Sequence, residues 1–241
     1  MSVSPAIDSW EIVRQLVGDR LAARELTIGP FLADQLLHAP RHLLFVLSRY
    51  KFAARLLPAL EPVDVLELGC GEGFGALMLS ENSHRVLGVD SDAAAIETAR
   101  RTVGGPTRRF EAADFLEQQF GRFRAVVSLD VIEHIPVEQE GAYFRTITDN
   151  LTDDGICIVG TPNATAAAYA SPQSQAGHIN LYTAERLVEA VGNYFQNTFV
   201  FGMNDEVVHT GFYPMSHYLF VLGTGKRTRA ARPSRRLRPV S

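Results

Sequence analysis

Apolar residues near the start of the chain recur at helical spacing. Trp10, Val13, Leu16 and Val17 form one such set, and Leu43, Leu44, Leu47, Tyr50 and Ala54 another, so residues 1–60 are expected to be helical. Pro40 suits the first turn of the second helix, and Pro58 ends it. Around residue 61 the period changes. Residues 63–69 (VDVLELG) are a short apolar run closed by glycine, the pattern of a buried strand. Runs of the same kind cover 85–90, 108–114, 123–130 and 155–163. Helical patterns fall at 76–81, 91–103, 137–151 and 183–195. Ser91 or Asp92 can cap the second of these and Thr183 the last. Strand alternating with helix predicts a doubly wound α/β fold, a parallel sheet with helices on both faces. The last two runs, 197–204 and 217–223, have no helix between them and predict an antiparallel pair at one sheet edge. The segment 164–176 is expected to be a loop.

Composition narrows the class. With 241 residues, 46% hydrophobic and 21% charged, the chain has the makeup of a globular protein of one large domain, or of one domain with an appendage. No apolar run approaches the roughly 18–20 residues that span a bilayer. The first residues carry acids where a secretory leader is basic and then apolar. Two cysteines, Cys70 and Cys157, are too few for a disulfide framework or a thiolate zinc site. A cytoplasmic protein with no membrane span is expected. The net charge of −4 hides an asymmetry, because seven of the cations lie between Lys226 and the end; removing them leaves −11 on residues 1–225. Residues 226–241 are expected to be a solvated, disordered basic end, few of whose residues are large and apolar. An acidic body is poorly suited to a phosphate backbone, so nucleic acid is not the expected partner. A homo-oligomer is compatible with the sequence.

The most informative stretch is Glu67-Leu-Gly69-Cys-Gly71-Glu-Gly73-Phe-Gly75, between a strand and a helix. Glycines there let a ligand lie on the backbone, and the helix N-terminus offers free N–H groups. By itself the loop fits either a dinucleotide or another nucleoside ligand. Asp90, with Ser91 beside it, ends the next strand 21 residues after Gly69 and can accept hydrogen bonds from ribose hydroxyls. Asp114 and Phe115, after the third strand, can meet an adenine. The fourth strand ends in a polar cluster from Ser128 to His134, at the mouth of an open α/β sheet.

ELGCGEGFG, VLGVD, AADF, SLDVIEHI and GICIVGTPN, in that order, resemble a class I S-adenosylmethionine (SAM)-dependent methyltransferase over roughly residues 60–223. The resemblance implies a seven-stranded sheet with an antiparallel last strand. It also implies a SAM-binding core at 61–225 beneath an N-terminal helical lid at 1–60 that excludes water. In that family Glu67, Gly69 and Gly71 match the loop holding the methionine part of SAM, Asp90 the ribose acid, Asp114 and Phe115 the adenine contacts, and Leu129 a backbone position facing the methionine. Arg49 lies where ubiquinone-biosynthesis O-methyltransferases carry an arginine that grips the SAM carboxylate.

Methyl transfer needs alignment and, for many acceptors, a proton acceptor. His134 and His178 are the candidates. Asp130, Glu133, His134 and His178 together offer two oxygen and two nitrogen ligands, enough for Mg²⁺ or a similar divalent ion. This set resembles the metal site of small-RNA 3′-terminal 2′-O-methyltransferases, with a shorter first acid in Asp130. Trp10, Phe31, Phe45, Tyr50 and Phe52 are candidate lid or acceptor-pocket residues. His209 and the aromatics near it, in 204–215, are further pocket candidates. Three readings stay open: methylation of a small molecule at oxygen, metal-dependent methylation of an RNA 3′-terminal ribose, and SAM binding by a regulatory module without chemistry.

Overall fold

A computed structural model describes residues 9–21 and 27–228. Three N-terminal helices, α1 (Ser9–Leu21), α2 (Pro30–His38) and α3 (Pro40–Leu56), precede the sheet. Pro30 and Pro40 each open a helix, where the missing N–H costs nothing. The sheet then alternates with helices: β1 (Asp64–Leu68), α4 (Phe74–Leu79), β2 (Arg85–Asp90), α5 (Ala93–Thr102), β3 (Arg108–Ala112), β4 (Phe123–Leu129), α6 (Glu140–Asn150) and β5 (Leu151–Pro162). After α7 (Pro172–Gly177) and α8 (Ala184–Gly192), β6 (Phe195–Asn204), β7 (Val207–His209) and β8 (Tyr218–Lys226) complete it. The strand order is β3-β2-β1-β4-β5-β8-β6-β7. β1 to β5 pair in parallel, and β8 runs antiparallel to both β5 and β6.

Alternate residues of the central strands feed two cores. Leu66, Leu68 and Val126 pack with Tyr143, Phe144 and Leu187 on one face. Val65, Ala125 and Val127 pack with Ala53, Ala76 and Ile96 on the other. Burial on both faces explains the continuous apolar runs of β1 and β4. Asp92, not Ser91, caps α5, accepting from Ala94 N at 2.9 Å and Ala95 N at 3.1 Å; such a cap contributes about 1 kcal/mol.

The structure corrects several expectations. The sheet has eight strands rather than seven, because β7 forms a short hairpin with β6 around Asp205, whose φ is 50°. The helix expected at 137–151 starts at Glu140, and β5 begins four residues earlier than its apolar run. The expected loop at 164–176 contains a 3-10 segment, Ala164–Tyr169, and most of α7, whose amide at Ser174 is capped by Ser171 Oγ. α2 was not distinguished within the helical stretch. Lys226 and Arg227 are not part of a free tail. The Lys226 ammonium donates to Thr148 O and Leu151 O, and the Arg227 guanidinium to Gly192 O and Phe195 O. The remaining tail arginines, Arg229, Arg232, Arg235, Arg236 and Arg238, lie outside the described residues. Among the described residues no helix is long and apolar enough to cross a membrane.

Candidate active site

The strand order reverses between β1 and β4, so loops leaving their carboxyl ends diverge and open a crevice. Two adjoining cavities occupy it. One, of about 340 Å³, is lined by Gly69, Asp90, Ser91, Phe115, Asp130, Val131, His134 and Ile135. The other, of about 1420 Å³, runs from Gly69 and Gly71 past Leu129 and Glu133 to α2, α3 and α7. Gly69, Asp130 and His134 border both, so the two are neighbours.

The glycine loop has the backbone its sequence requires. Gly69, Gly71 and Gly73 have φ of 75°, 50° and 76°. A Cβ at Gly69 would lie 2.3 Å from Val131 Cγ2, whereas one at Gly71 would meet nothing within 4 Å. Gly71 therefore faces open space, as a ligand cradle should. Asp90 turns its carboxylate to this loop, accepting from Gly71 N at 2.8 Å and from Asp92 N at 2.9 Å.

Beneath the loop lies Glu67, 1% exposed. Neither of its carboxyl oxygens has a partner of normal hydrogen-bond geometry among the described residues. Burial pushes its pKa up to about 8, the nearby Tyr50 hydroxyl opposes this, and the Asp90 charge adds to it. Glu67 itself lines neither cavity; it lies behind the glycine loop with the Tyr50 hydroxyl beside it.

Arg49, from α3, reaches the site. Its guanidinium lies 4.0 Å above the Tyr218 ring and donates to Asp130 Oδ1 at 2.8 Å. This pairing corrects the four-residue metal set. Donor atoms of Glu133, His134 and His178 lie within 4.8 Å of one another, without Asp130. The chain does not turn helically at Asp130, whose φ is 58°, and its side chain goes to Arg49 instead. Glu133 is buried, with Oε2 accepting from Thr161 Oγ1 at 3.0 Å and Oε1 unpartnered among the described residues. Burial and the Asp130 charge push its pKa up to about 8. His134 Nδ1 faces Gly177 O at 2.9 Å, and its ring lies 5.0 Å from that of His178. Burial, then the neighbouring His134, lowers the His178 pKa.

Other expected residues fall elsewhere. Asp114 is exposed, accepts from Leu116 N at 3.1 Å and borders neither cavity, whereas its neighbour Phe115 lines the smaller one. Phe31, Phe45 and Tyr50 line the large cleft. Phe52 instead packs against Phe201 and Phe220, and Trp10 is 67% exposed on α1, outside both cavities. His209 bonds Asn204 Oδ1 and lines neither cavity; from that region Asp205 and His217 reach the cleft. Sequence reasoning missed both, and also Glu72 and His42, since nothing local marks which loop side chains converge.

Residues 65–155 match the family model of a methyltransferase domain. A Mycolicibacterium smegmatis protein named "Probable S-adenosylmethionine-dependent methyltransferase" is 32% identical over 100 residues, 42% of this chain and 38% of its own. The ubiquinone biosynthesis O-methyltransferase of Azorhizobium caulinodans is 30% identical over 121 residues, 48% of this chain and 47% of its own. The chain thus spans less than half the length of these relatives. Among solved structures, a TehB-like SAM-dependent methyltransferase from Corynebacterium glutamicum superposes with a TM-score of 0.56 at 20% identity, covering 90% of this chain and 97% of that one. Its likeness is one of fold. The left-handed glycine loop and the acid ending β2 lie within or beside the segment, 65–155, over which the chain is similar to SAM-dependent methyltransferases.

Proposed function

We propose that the protein transfers a methyl group from SAM to an oxygen of a small-molecule acceptor. The observation that carries this reading is the left-handed glycine loop, whose Gly71 faces open space and whose amide donates to Asp90, the acid that ends β2. When bound, SAM supplies an electrophilic methyl on a good leaving group. The protein's part is to hold, align and deprotonate. Glu67, Gly69 and Gly71 hold the methionine half, with Arg49 available to its carboxylate. Asp90 and Ser91 hold the ribose. Phe115 lies against the adenine. Leu129 presents its backbone toward the methionine. The lid residues Phe31, Phe45 and Tyr50 exclude water from the large cleft, where His178 accepts the acceptor's proton. Oxygen is favoured because His178 is held neutral, and because the relatives include enzymes named as O-methyltransferases. Asp114 has no part in this reading as placed.

Calorimetry with S-adenosylhomocysteine (SAH) tests it. SAH should bind the purified protein, and Asp90→Ala should weaken binding by about 1–3 kcal/mol through lost charge-assisted hydrogen bonds. Equal affinities would remove Asp90 from the ribose site.

A second reading rests on the clustered donors of Glu133, His134 and His178. These residues would hold a divalent ion that polarises the acceptor hydroxyl, with water or the acceptor filling the remaining positions. SAH release from SAM in the presence of vicinal-dihydroxy aromatics should then stop in excess EDTA and return with Mg²⁺ or Mn²⁺. Full turnover in EDTA leaves His178 as a metal-free proton acceptor.

A further inference from the structure

One side chain joins the glycine loop to the lid. Both carboxylate oxygens of Glu72 accept from first-turn amides of α2, Phe31 N and Leu32 N, each at 3.0 Å. Those amides have no partner within their own helix, and the positive end of the helix dipole favours the carboxylate. The approach is close. A Cβ on Gly29, just before α2, would lie 2.1 Å from Glu72 Oε1. The α2 residues held in this way line the acceptor side of the large cleft through Phe31, Leu32 and Gln35.

Glu72 is also fixed at its other end. It stands between Gly71 and Gly73, whose left-handed backbones set where its side chain leaves the loop. The amide of Gly71 in turn donates to Asp90 Oδ2 at 2.8 Å. A path of direct contacts therefore runs from Asp90, in the smaller cavity, through Gly71 and Glu72 to the start of α2. A ligand that engages Asp90 meets the same carboxylate that accepts from the Gly71 amide, and Glu72 is the next residue.

We propose that Glu72 is a positioning residue that couples occupancy of the nucleoside cavity to the placement of α2, so that cofactor binding sets the wall against which the acceptor packs. This rests on the SAM-binding reading above. Glu72 touches neither the sulfonium nor the acceptor oxygen in this account; it acts through α2.

Hydrogen exchange at the Phe31 and Leu32 amides of the full chain, with SAH as the probe, tests the coupling. Saturating SAH should slow exchange at these two amides by about 5-fold or more in the wild type, the lower end of ordinary coupling between sites. In Glu72→Ala the two amides should exchange faster and no longer respond to SAH. Linkage makes the effect reciprocal, so Glu72→Ala should also weaken SAH binding by up to the factor by which SAH protects the wild-type amides. A helix cap with no coupling role would slow exchange equally with and without SAH and leave SAH affinity unchanged. Gly29→Ala, which displaces the Glu72 carboxylate from the lid side, should reproduce the loss of response, and Glu72→Gln, which keeps one acceptor oxygen, should fall between. Exchange in the β4 and β5 core reports that the variants are folded. An SAH response that persists in both Glu72→Ala and Gly29→Ala overturns the proposal. Failure of SAH to bind the wild type would instead sink the parent reading, and equal exchange of the unliganded wild type and Glu72→Ala would then dispose of the Glu72 contact as well.

Discussion

Replacing His178 with alanine should lower methyl transfer by about 10²–10⁴-fold, the ordinary contribution of a positioned proton acceptor. SAH affinity should stay within about twofold, because His178 borders the large cleft and not the cavity holding Asp90 and Ser91. The physical basis is the state of the imidazole. Burial and the adjacent His134 lower its pKa, so it is neutral and able to take a proton at neutral pH. Its backbone is held firmly. His178 N donates to Ser174 O at 2.9 Å, and the next two amides, Ile179 N and Asn180 N, both donate to Glu133 O. Asn180 is locked further by Tyr182, Arg186 and the Ile135 carbonyl. The measurement is SAH release from SAM with a panel of monohydroxy and vicinal-dihydroxy aromatics. Unchanged turnover on every acceptor that the wild type methylates would remove His178 from the chemistry. His134→Ala is the informative companion. Its ring is exposed and its Nδ1 faces Gly177 O, so a smaller loss is expected there.

The second large effect concerns stability and Glu67. Its pKa is pushed up to about 8 by burial, from an ordinary value of 4.5. Below pH 4.5 the carboxyl is protonated in the folded and unfolded chains alike, and its contribution to stability is fully present. As pH rises toward 8 the unfolded chain ionises while the folded chain keeps its proton, so stability falls. Above about pH 8 the loss is complete, on the order of 3–5 kcal/mol from this one group. Glu67→Gln is neutral throughout and should escape the loss. Urea unfolding at pH 5 should find the two proteins similar, and at pH 8.5 should find the variant more stable by most of that amount. Other carboxylates contribute equally to both proteins, so the difference isolates Glu67. Parallel profiles for the two proteins would show that Glu67 ionises as an ordinary surface acid does, contrary to its burial.

Much of the architecture was legible because local patterns coincide with it. The apolar runs of β1, β2 and β4 are buried on both faces, so no alternation was needed to find them, and the glycine and aspartate that end them mark the sheet mouth. The boundaries that failed are places where a local signal competes with a tertiary one. Leu151-Thr-Asp-Asp-Gly is polar, yet it continues β5 because Leu151 pairs with Phe123 in β4. Val207-Val-His209 is too short to stand out, yet it pairs because β6 offers it an open edge. Lys226 and Arg227 resemble the basic residues after them, and only the carbonyls of Thr148, Leu151, Gly192 and Phe195 distinguish them.

The candidate site divides in the same way. The three loop glycines are legible because their left-handed backbone favours glycine, and Asp90 because it ends β2 beside them; Glu67 and its role were expected only from the family resemblance. The sequence alone determined a doubly wound sheet, a glycine-rich loop after its first strand and a supply of carboxylates and imidazoles at its mouth. The tertiary structure decided which of them meet. It sent Asp130 to Arg49 across 81 residues, left Glu133 with His134 and His178, turned Asp114 outward, and set Glu72 on the first turn of α2. Backbone preferences and burial are written residue by residue, whereas the pairing of charged side chains depends on distances that exist only once the chain has closed on itself.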